Sequence, residues 1–334
     1  MTGDRELPAE GGVQAATEGA TGGAATPSFG LPSGAASGIP RAPQPLAIGP
    51  KTFRWGERTH VMGILNVTPD SFSGDGLLAG DGADPVATAV ARARAMAADG
   101  ADLLDVGGES TRPGHEIVSV DDEIRRVAPV IEAVRAALPD LPISVDTTKP
   151  AVAEAALDAG ANLVNDVWGV AADDALSRLA AARGVPIVLM HNRAEARYTN
   201  LVAEVLADLQ AAIDRALSAG VAWESIVVDP GFGFGKTPEH NLELLRHLDA
   251  FRLLGRPVLL GTSRKSTLGK VLDLPPDQRV EATLATTALA VAARVDIVRV
   301  HDVRENVRAA RMADAIVRAD NRSTDRPTAE GDPL

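Results

Sequence analysis

Between Pro50 and Ala319 the chain repeats one pattern eight times. A short apolar, β-branched run ends in a polar residue or a glycine, and an Ala/Leu-rich stretch follows with apolar residues three and four positions apart. The runs are VMGILNV, DLLDVGG, PISVDT, NLVNDV, PIVLMH, SIVVDPG, PVLLGTS and DIVRVHD. Their length and unbroken hydrophobicity match strands buried on both faces. The stretches between and after them (85–98, 120–137, 151–159, 173–183, 201–219, 241–254, 279–293 and 303–319) are predicted helices. Eight βα units predict an α/β fold, a single-domain (β/α)8 TIM barrel spanning 50–319. A doubly wound open sheet is the rival architecture for such a pattern.

The flanks lack this pattern. Residues 1–45, with GGVQAATEGATGGAATPSFGLPSGAASGIP, are rich in small and turn-forming residues and nearly devoid of aliphatic periodicity. A disordered low-complexity tail is predicted there, because such a segment buries too little to offset its ordering entropy. Residues 320–334 are expected to form a flexible C-terminal tail. Scattered glutamates argue against an organelle-targeting peptide, and no basic region precedes an apolar core at the N-terminus.

Composition narrows the partners. The formal charge of −12, from 33 basic and 45 acidic residues, argues against bulk attraction to nucleic acid or an anionic membrane. No apolar run approaches the roughly 18 residues of a membrane span. With no cysteine in 334 residues, disulfides and thiolate metal sites are excluded, and a reducing, cytoplasmic location is expected.

Polar residues cluster at the ends of the runs: Asn66, Asp105, Asp146, Asn165 with Asp166, His191 with Asn192, Asp229, Ser263 with Lys265, and Arg299 with His301. In a parallel barrel the C-terminal strand ends share one face, the face that carries active sites. A single aspartate in such a place is ordinarily a helix cap or turn residue. Repetition at nearly every strand end points instead to a shared site. Asp146, Asn165 and Asp229 offer acceptors and one amide, a set suited to a flat heterocycle with an amino-pyrimidine edge. Cations sit elsewhere, with Arg264 and Lys265 after the seventh run and Arg299 and His301 on the eighth, where barrels of this kind bind phosphate. The alternative for Arg299 is a solvated or salt-bridged side chain. A polar heterocycle carrying an anionic leaving group fits both clusters.

The stretch DPGFGFGKT imitates a nucleotide-binding loop, but Pro230 stands where that motif needs its first glycine. Thr237 and Pro238 read as the N-cap and first position of the next helix, which leaves Lys236 ahead of it. ATP binding is therefore not expected, and Lys236→Ala is expected to change substrate affinity by no more than a few-fold.

In order along the chain, MGILNVTPDSFSGDG, DVGGESTRPG, SVDTTKP, NDVWG, LMHN, DPGFGFGKT, GTSRKS and VRVHDV resemble the motif series of the dihydropteroate synthase family. The resemblance spans all eight units. It implies a (β/α)8 barrel, usually a homodimer, that joins 6-hydroxymethyl-7,8-dihydropterin diphosphate to p-aminobenzoate and releases pyrophosphate with Mg2+. It further implies that Asp146, Asn165, Asp229 and Lys265 hold the pterin, with Met190 and Gly261 as walls. Asn66, Arg299 and His301 match the diphosphate and metal side. Thr111, Arg112, Pro113, Phe234 and Ser263 match the p-aminobenzoate side. Lys265, Arg299, His301 and Asp146 are the implied catalytic groups. Phe72 and Pro113 lie on the two loops that close over substrate in the family. One departure is SFSGDG, which places Gly74 where the family's loop aspartate is expected and Asp75 one position later, as the metal candidate beside Asn66. A pterin-barrel methyltransferase would share the fold, but the intact ESTRPG and SRKS speak against it. They speak equally against a non-catalytic paralogue.

Overall fold

The computed structural model describes residues 43–68, 84–109, 118–171 and 173–318. The sequence-derived tails, apart from residues 43–45, lie outside them, as do Phe72, Asp75, Thr111, Arg112 and Pro113.

Eight parallel strands form the sheet: β3 (His60–Asn66), β4 (Leu103–Gly107), β5 (Ile143–Asp146), β6 (Leu163–Asp166), β7 (Ile187–Met190), β8 (Ile226–Asp229), β9 (Leu259–Leu260) and β10 (Ile297–Val300). Neighbours in sequence pair in space from β3 through β8, while β10 pairs with β3 on one side and β9 on the other. A parallel bridge between Val228 and Val258 joins β8 to the entrance of β9 and closes the ring. The open sheet is thereby ruled out in favour of the barrel.

The helices are α1 (Pro85–Ala98), α2 (Val120–Ala137), α3 (Pro150–Asp158), α4 (Ala175–Arg183), α5 (Leu201–Ser218), α6 (Pro238–Arg246), α7 (Ser266–Leu272), α8 (Val280–Ala292) and α9 (Val303–Val317). Local chemistry starts several of them. Asp84, Ser119 and Asn200 accept hydrogen bonds from backbone N–H groups in the first turns of α1, α2 and α5. Thr237 and His240 form a reciprocal capping box with Pro238 at the first position of α6, so the DPGFGFGKT loop ends where its sequence indicates. The predicted helix over 241–254 divides instead into α6 and a 3-10 segment, Leu248–Leu254. Its buried residues Leu248, Phe251 and Leu254 recur every third position, the period of a 3-10 rather than an α-helix.

Strand alternation sorts the core into two bodies. Side chains such as Leu104, Val106, Val145 and Val164 point outward and pack with the helices. Met62, Leu103, Leu163, Val188, Val227, Leu259 and Ile297 point inward and cluster with Leu46, Ile48, Phe53 and Trp55. The last four come from an antiparallel hairpin, β1 (Leu46–Ile48) and β2 (Lys51–Phe53), and the turn after it that carries Trp55, of which the sequence pattern gives no sign. It plugs the N-terminal mouth: Phe53 stacks at 5.7 Å on Trp55 and lies 4.8 Å from the His60 ring. Helix α9 latches the chain leaving the plug, with Arg318 donating to the Gly56 carbonyl at 2.7 Å and Asp314 accepting from Thr59 N at 2.8 Å.

Candidate active site

On four of the strands, the residue two positions beyond the inward apolar layer, on the same side, is polar. On β4, Leu103 is followed by Asp105; on β6, Leu163 by Asn165; on β8, Val227 by Asp229; on β10, Ile297 by Arg299. Asp146 on β5 is the register partner of Asn165. The two-residue period of a strand thus stacks a polar layer directly on the apolar one.

Asp105 is the hub of this layer. It is completely buried, and its Oδ2 accepts from Asn165 Nδ2 at 2.9 Å and from Arg299 Nε at 2.6 Å. Arg299 Nη2 donates to Asp146 at 2.6 Å. Of the solvated and salt-bridged alternatives, the salt-bridged one describes Arg299, whose guanidinium spans the mouth between two carboxylates. Asp105 stood among the strand-end residues but received no role from sequence. The signal available was its phase: it lies two residues before the end of β4, in step with Leu103. With its NH2 group held by Asp105, Asn165 has its Oδ1 left for a ligand.

Two oxygens in this layer, Oδ1 of Asp105 and Oδ1 of Asp146, are buried and have no hydrogen-bond partner among the described residues. Burial, with Asp105 adding repulsion and Arg299 opposing, pushes Asp146 well above the usual carboxylate range. Asp229, also buried, accepts from Gly231 N at 2.7 Å, and burial raises it in spite of the nearby Lys265 charge. Lys265 donates to the Phe232 carbonyl, and its ammonium lies 4.4 Å from the Phe234 ring centroid. Burial brings it down to about 7 against the pull of Asp229. A donor-rich, planar ligand would satisfy the orphan oxygens and relieve this frustrated electrostatics.

The remaining candidates divide. Met190 is buried at the end of β7, beside Asp229 in register, and Gly261 follows β9 against Arg299. Ser263 and His301 meet directly, Oγ to Nδ1 at 3.0 Å, although they were placed on different substrate sides. The predicted cation cluster is split: Arg264 makes a two-pronged contact with Asp302 at 2.5 and 3.1 Å, Arg299 is held by Asp105 and Asp146, and Lys265 turns toward the Phe232 carbonyl. Asp166 points away from the interior and accepts from Trp168 N at 2.9 Å, the ordinary role of a strand-end aspartate.

DPGFGFGKT is built as a wall. Gly231 and Gly235 have φ of +71° and +53°, and a Cβ on either would overlap the main chain of His191 or Arg193. Lys236 points inward to the loop, donating to the Gly231 carbonyl at 3.0 Å, the Phe234 carbonyl at 3.1 Å and His191 Nδ1 at 2.9 Å. His191 Nε2 faces Asp208 at 3.0 Å. These partners require a neutral ring that donates from Nε2 and accepts at Nδ1, and burial beside Lys236 pushes its pKa down accordingly. Lys236 is a loop brace, and burial lowers it to about 7.

Asn66 ends β3, half-buried, with its oxygen above Gly107. Among the described residues no group of three or more His, Cys, Asp or Glu side chains is arranged to hold a metal. A single neutral oxygen fits Mg2+ that arrives on a diphosphate and keeps water, since that ion seldom occupies an all-protein cage.

Similarity to known proteins bears on the same residues. The sequence pattern of the pterin binding enzyme family matches residues 62–301. The chain is 51% identical to a dihydropteroate synthase of Clostridium beijerinckii over 274 residues, covering 82% of this chain and all of that protein. A Clostridium difficile dihydropteroate synthase solved in the presence of pteroic acid is 49% identical with a TM-score of 0.75, covering 80% of this chain and 99% of that one. The Xanthomonas albilineans enzyme, solved with 4-aminobenzoic acid, is 45% identical with a TM-score of 0.73, covering 78% and 93%. The chain belongs to the pterin binding enzyme family and, within it, to the dihydropteroate synthases.

Proposed function

We propose that this chain condenses 6-hydroxymethyl-7,8-dihydropterin diphosphate with p-aminobenzoate to give 7,8-dihydropteroate and pyrophosphate, a transferase step of folate biosynthesis. The observation that carries this reading is the polar layer at the barrel mouth, where Asp105 and Asp146 present buried, unpartnered oxygens beside Asn165 and Asp229. An amino-pyrimidine edge supplies the N–H donors such atoms lack. The ligands of the two solved relatives, pteroic acid and 4-aminobenzoic acid, support the same chemistry.

In the proposed reaction the bond between the pterin methylene and the diphosphate oxygen breaks, and its electron pair leaves with pyrophosphate. The resulting cation is spread over the pterin ring, which Asp146, Asn165, Asp229 and Lys265 hold between the walls of Met190 and Gly261. The lone pair of the aryl amine then forms the new C–N bond and the nitrogen gives up a proton. Arg299 and His301 take the diphosphate side. Because Arg299 begins neutralised by Asp105 and Asp146, it must exchange a carboxylate for phosphate as substrate enters. Phe234 and Ser263, with Thr111, Arg112 and Pro113 outside the described residues, take the p-aminobenzoate side. Asn66, with Asp75 outside the described residues, would hold Mg2+, which would supply charge stabilisation to the departing diphosphate.

No helix among the described residues is long and apolar enough to cross a membrane. The cysteine-free sequence supports the cytoplasmic location expected from it. Leu289 on α8 and Met312 and Ile316 on the adjoining α9 are 55%, 63% and 67% exposed, an apolar stripe that supports a homodimer.

Incubation of the full-length protein with the pterin diphosphate and labelled p-aminobenzoate is the direct test. Equal amounts of labelled dihydropteroate and pyrophosphate are expected. Pterin binding without turnover would identify a binding protein instead.

A further inference from the structure

Lys265, assigned above to the pterin, follows a strained residue. Arg264 has a φ of +58°, in the left-handed region that residues with a Cβ seldom enter. Lys265 N donates to the Thr262 carbonyl at 3.2 Å, so residues 262–265 form a turn. Arg264 stands third in it, where a positive φ ordinarily calls for glycine or asparagine. Such a conformation persists only where the surroundings fix it. Both peptide groups of Arg264 are held from the start of α8: its N–H donates to Thr283 Oγ1 at 3.4 Å, and its carbonyl accepts from Arg279 Nη1 at 2.9 Å.

Arg279 does more than hold one carbonyl. Its Nε donates to the Leu274 carbonyl at 2.9 Å, so one guanidinium joins the residue two places before α7 to the turn just after it. Between these ends it lies on Gly269, where a Cβ would overlap the guanidinium itself. The two carbonyls meet a planar fork of donors, which the rotating ammonium of a lysine does not offer. On the opposite side the Arg264 side chain grips Asp302, the neighbour of His301, at 2.5 and 3.1 Å. A glycine at position 264 would relieve the strain but leave the turn freer to move. Arg279 has no role in the chemistry proposed above.

We propose that Arg279 is a positioning residue for Lys265, acting through the carbonyl of Arg264 and along α7. Fixing that peptide group fixes the direction in which the Lys265 side chain leaves the backbone. Its ammonium is thereby kept against the Phe232 carbonyl, at the pterin wall. The proposal rests on the reading of Lys265 as a group that holds the pterin. It requires that a change at Arg279, which lies on none of the strands, matter to pterin binding only while Lys265 is present.

The test measures pterin diphosphate affinity by calorimetry on full-length Arg279→Met, Gly269→Ala and Lys265→Met, and on the first two combined with the third. Arg279→Met is expected to weaken binding about ten-fold, within the loss that a misplaced binding group can cause. Gly269→Ala keeps the Arg279 charge and favours the helix by propensity, but it displaces the guanidinium, and binding is expected to weaken about three-fold or more. In the Lys265→Met background either change is expected to move affinity by less than about two-fold, the signature of groups that act together in a double-mutant cycle. If Arg279→Met does not fold, Gly269→Ala with and without Lys265→Met carries the same test. A merely structural Arg279 would lower the melting temperature and leave affinity, measured below the transition, unchanged. That result, or the same loss of affinity persisting without Lys265, would overturn the proposal. A wild-type protein that does not bind the pterin diphosphate would overturn the underlying functional reading instead.

Discussion

Met62, Leu103, Leu163, Val188, Val227, Leu259 and Ile297 line the lower barrel, and Asp105, Asp146, Asn165, Asp229 and Arg299 lie one alternation above them. The two layers use the same strands and similar burial, yet their free energies run in opposite directions. Below, the inward groups are mostly apolar, with Ser144 and His60 as the buried polar exceptions, and the hairpin covers them, so burial stabilises on balance. Above, ionisable groups are withdrawn from water with incomplete partners. Asp146 and Asp229 are pushed toward neutrality from one side and Lys265 from the other. The comparison teaches that this barrel spends stability gained at its floor on preorganised charge at its mouth.

The floor should give the largest effect. Phe53 is 2% exposed and packs on both Trp55 and His60. Phe53→Ala is expected to lower the unfolding free energy by about 3–5 kcal/mol, the range for a buried phenylalanine. Urea denaturation reads this directly, while KM values measured below the transition should stay near wild type. A large change in pterin KM with little loss of stability would show that the plug is coupled to the site and that the two layers are not separable.

Next in size is the mirror experiment at the mouth. Asp229→Asn keeps the shape and the acceptor for Gly231 N but presents an NH2 group to ligand donors. Pterin affinity is expected to fall by about 2–4 kcal/mol, the scale of a lost charge-assisted bond plus an unpaired buried group. Its melting temperature should hold or rise, because a buried carboxylate without a full partner set has been removed. A melting-temperature drop comparable to that of Phe53→Ala would mean the polar layer stabilises the fold after all.

The division between the layers also marks what sequence could convey. The eight runs and their polar ends were legible because buried parallel strands are continuously apolar and a change to Asn or Asp breaks the run abruptly. The hairpin plug was not. It commits only Leu46, Ile48, Phe53 and Trp55, and two three-residue strands are too short to carry a period. The identity of Asp105 as hub was half legible, since its phase is local. Its bond to Arg299 joins residues 194 positions apart, which no local pattern encodes. The 3-10 segment was hidden for another reason: apolar residues three apart fit either helix type until their tightness is known.

Lys236 gives a smaller effect of a different kind. From sequence it was a lysine in the wrong place for phosphate, with little consequence expected for affinity. Its three contacts to the DPGFGFGKT loop and His191 add a structural consequence. Lys236→Ala leaves two carbonyls and an imidazole nitrogen short of a donor, and about 1–3 kcal/mol of stability should be lost. Thermal unfolding tests this, and calorimetry with ATP should show no binding in either protein. Tight ATP binding abolished by the mutation would restore the nucleotide-loop reading.

The smallest expected effect is a slope. Burial brings Lys265 from the ordinary 10.5 down to about 7, so the fold disfavours its charged form. Below about pH 7 the lysine is protonated in both the folded and unfolded states, and the destabilisation is fully present. Between about 7 and 10.5 the unfolded chain binds more protons than the folded one, so this group makes stability rise with pH. Above 10.5 both states are neutral and the contribution vanishes. Lys265→Met removes the titration while keeping the apolar stem. The stability of the variant relative to wild type should therefore be greatest near neutral pH and decline toward pH 10. Lys265 is only half-buried, so solvent screening makes the decline shallower than the shift alone implies. Paired denaturation curves at several pH values, repeated in a Lys236→Met background because the Lys265 charge also lowers Lys236, isolate it from the other lysines. A relative stability that grows with pH would mean that Asp229 and Asp146 stabilise the ammonium more than burial opposes it, and would place Lys265 with the stabilising floor rather than the strained mouth.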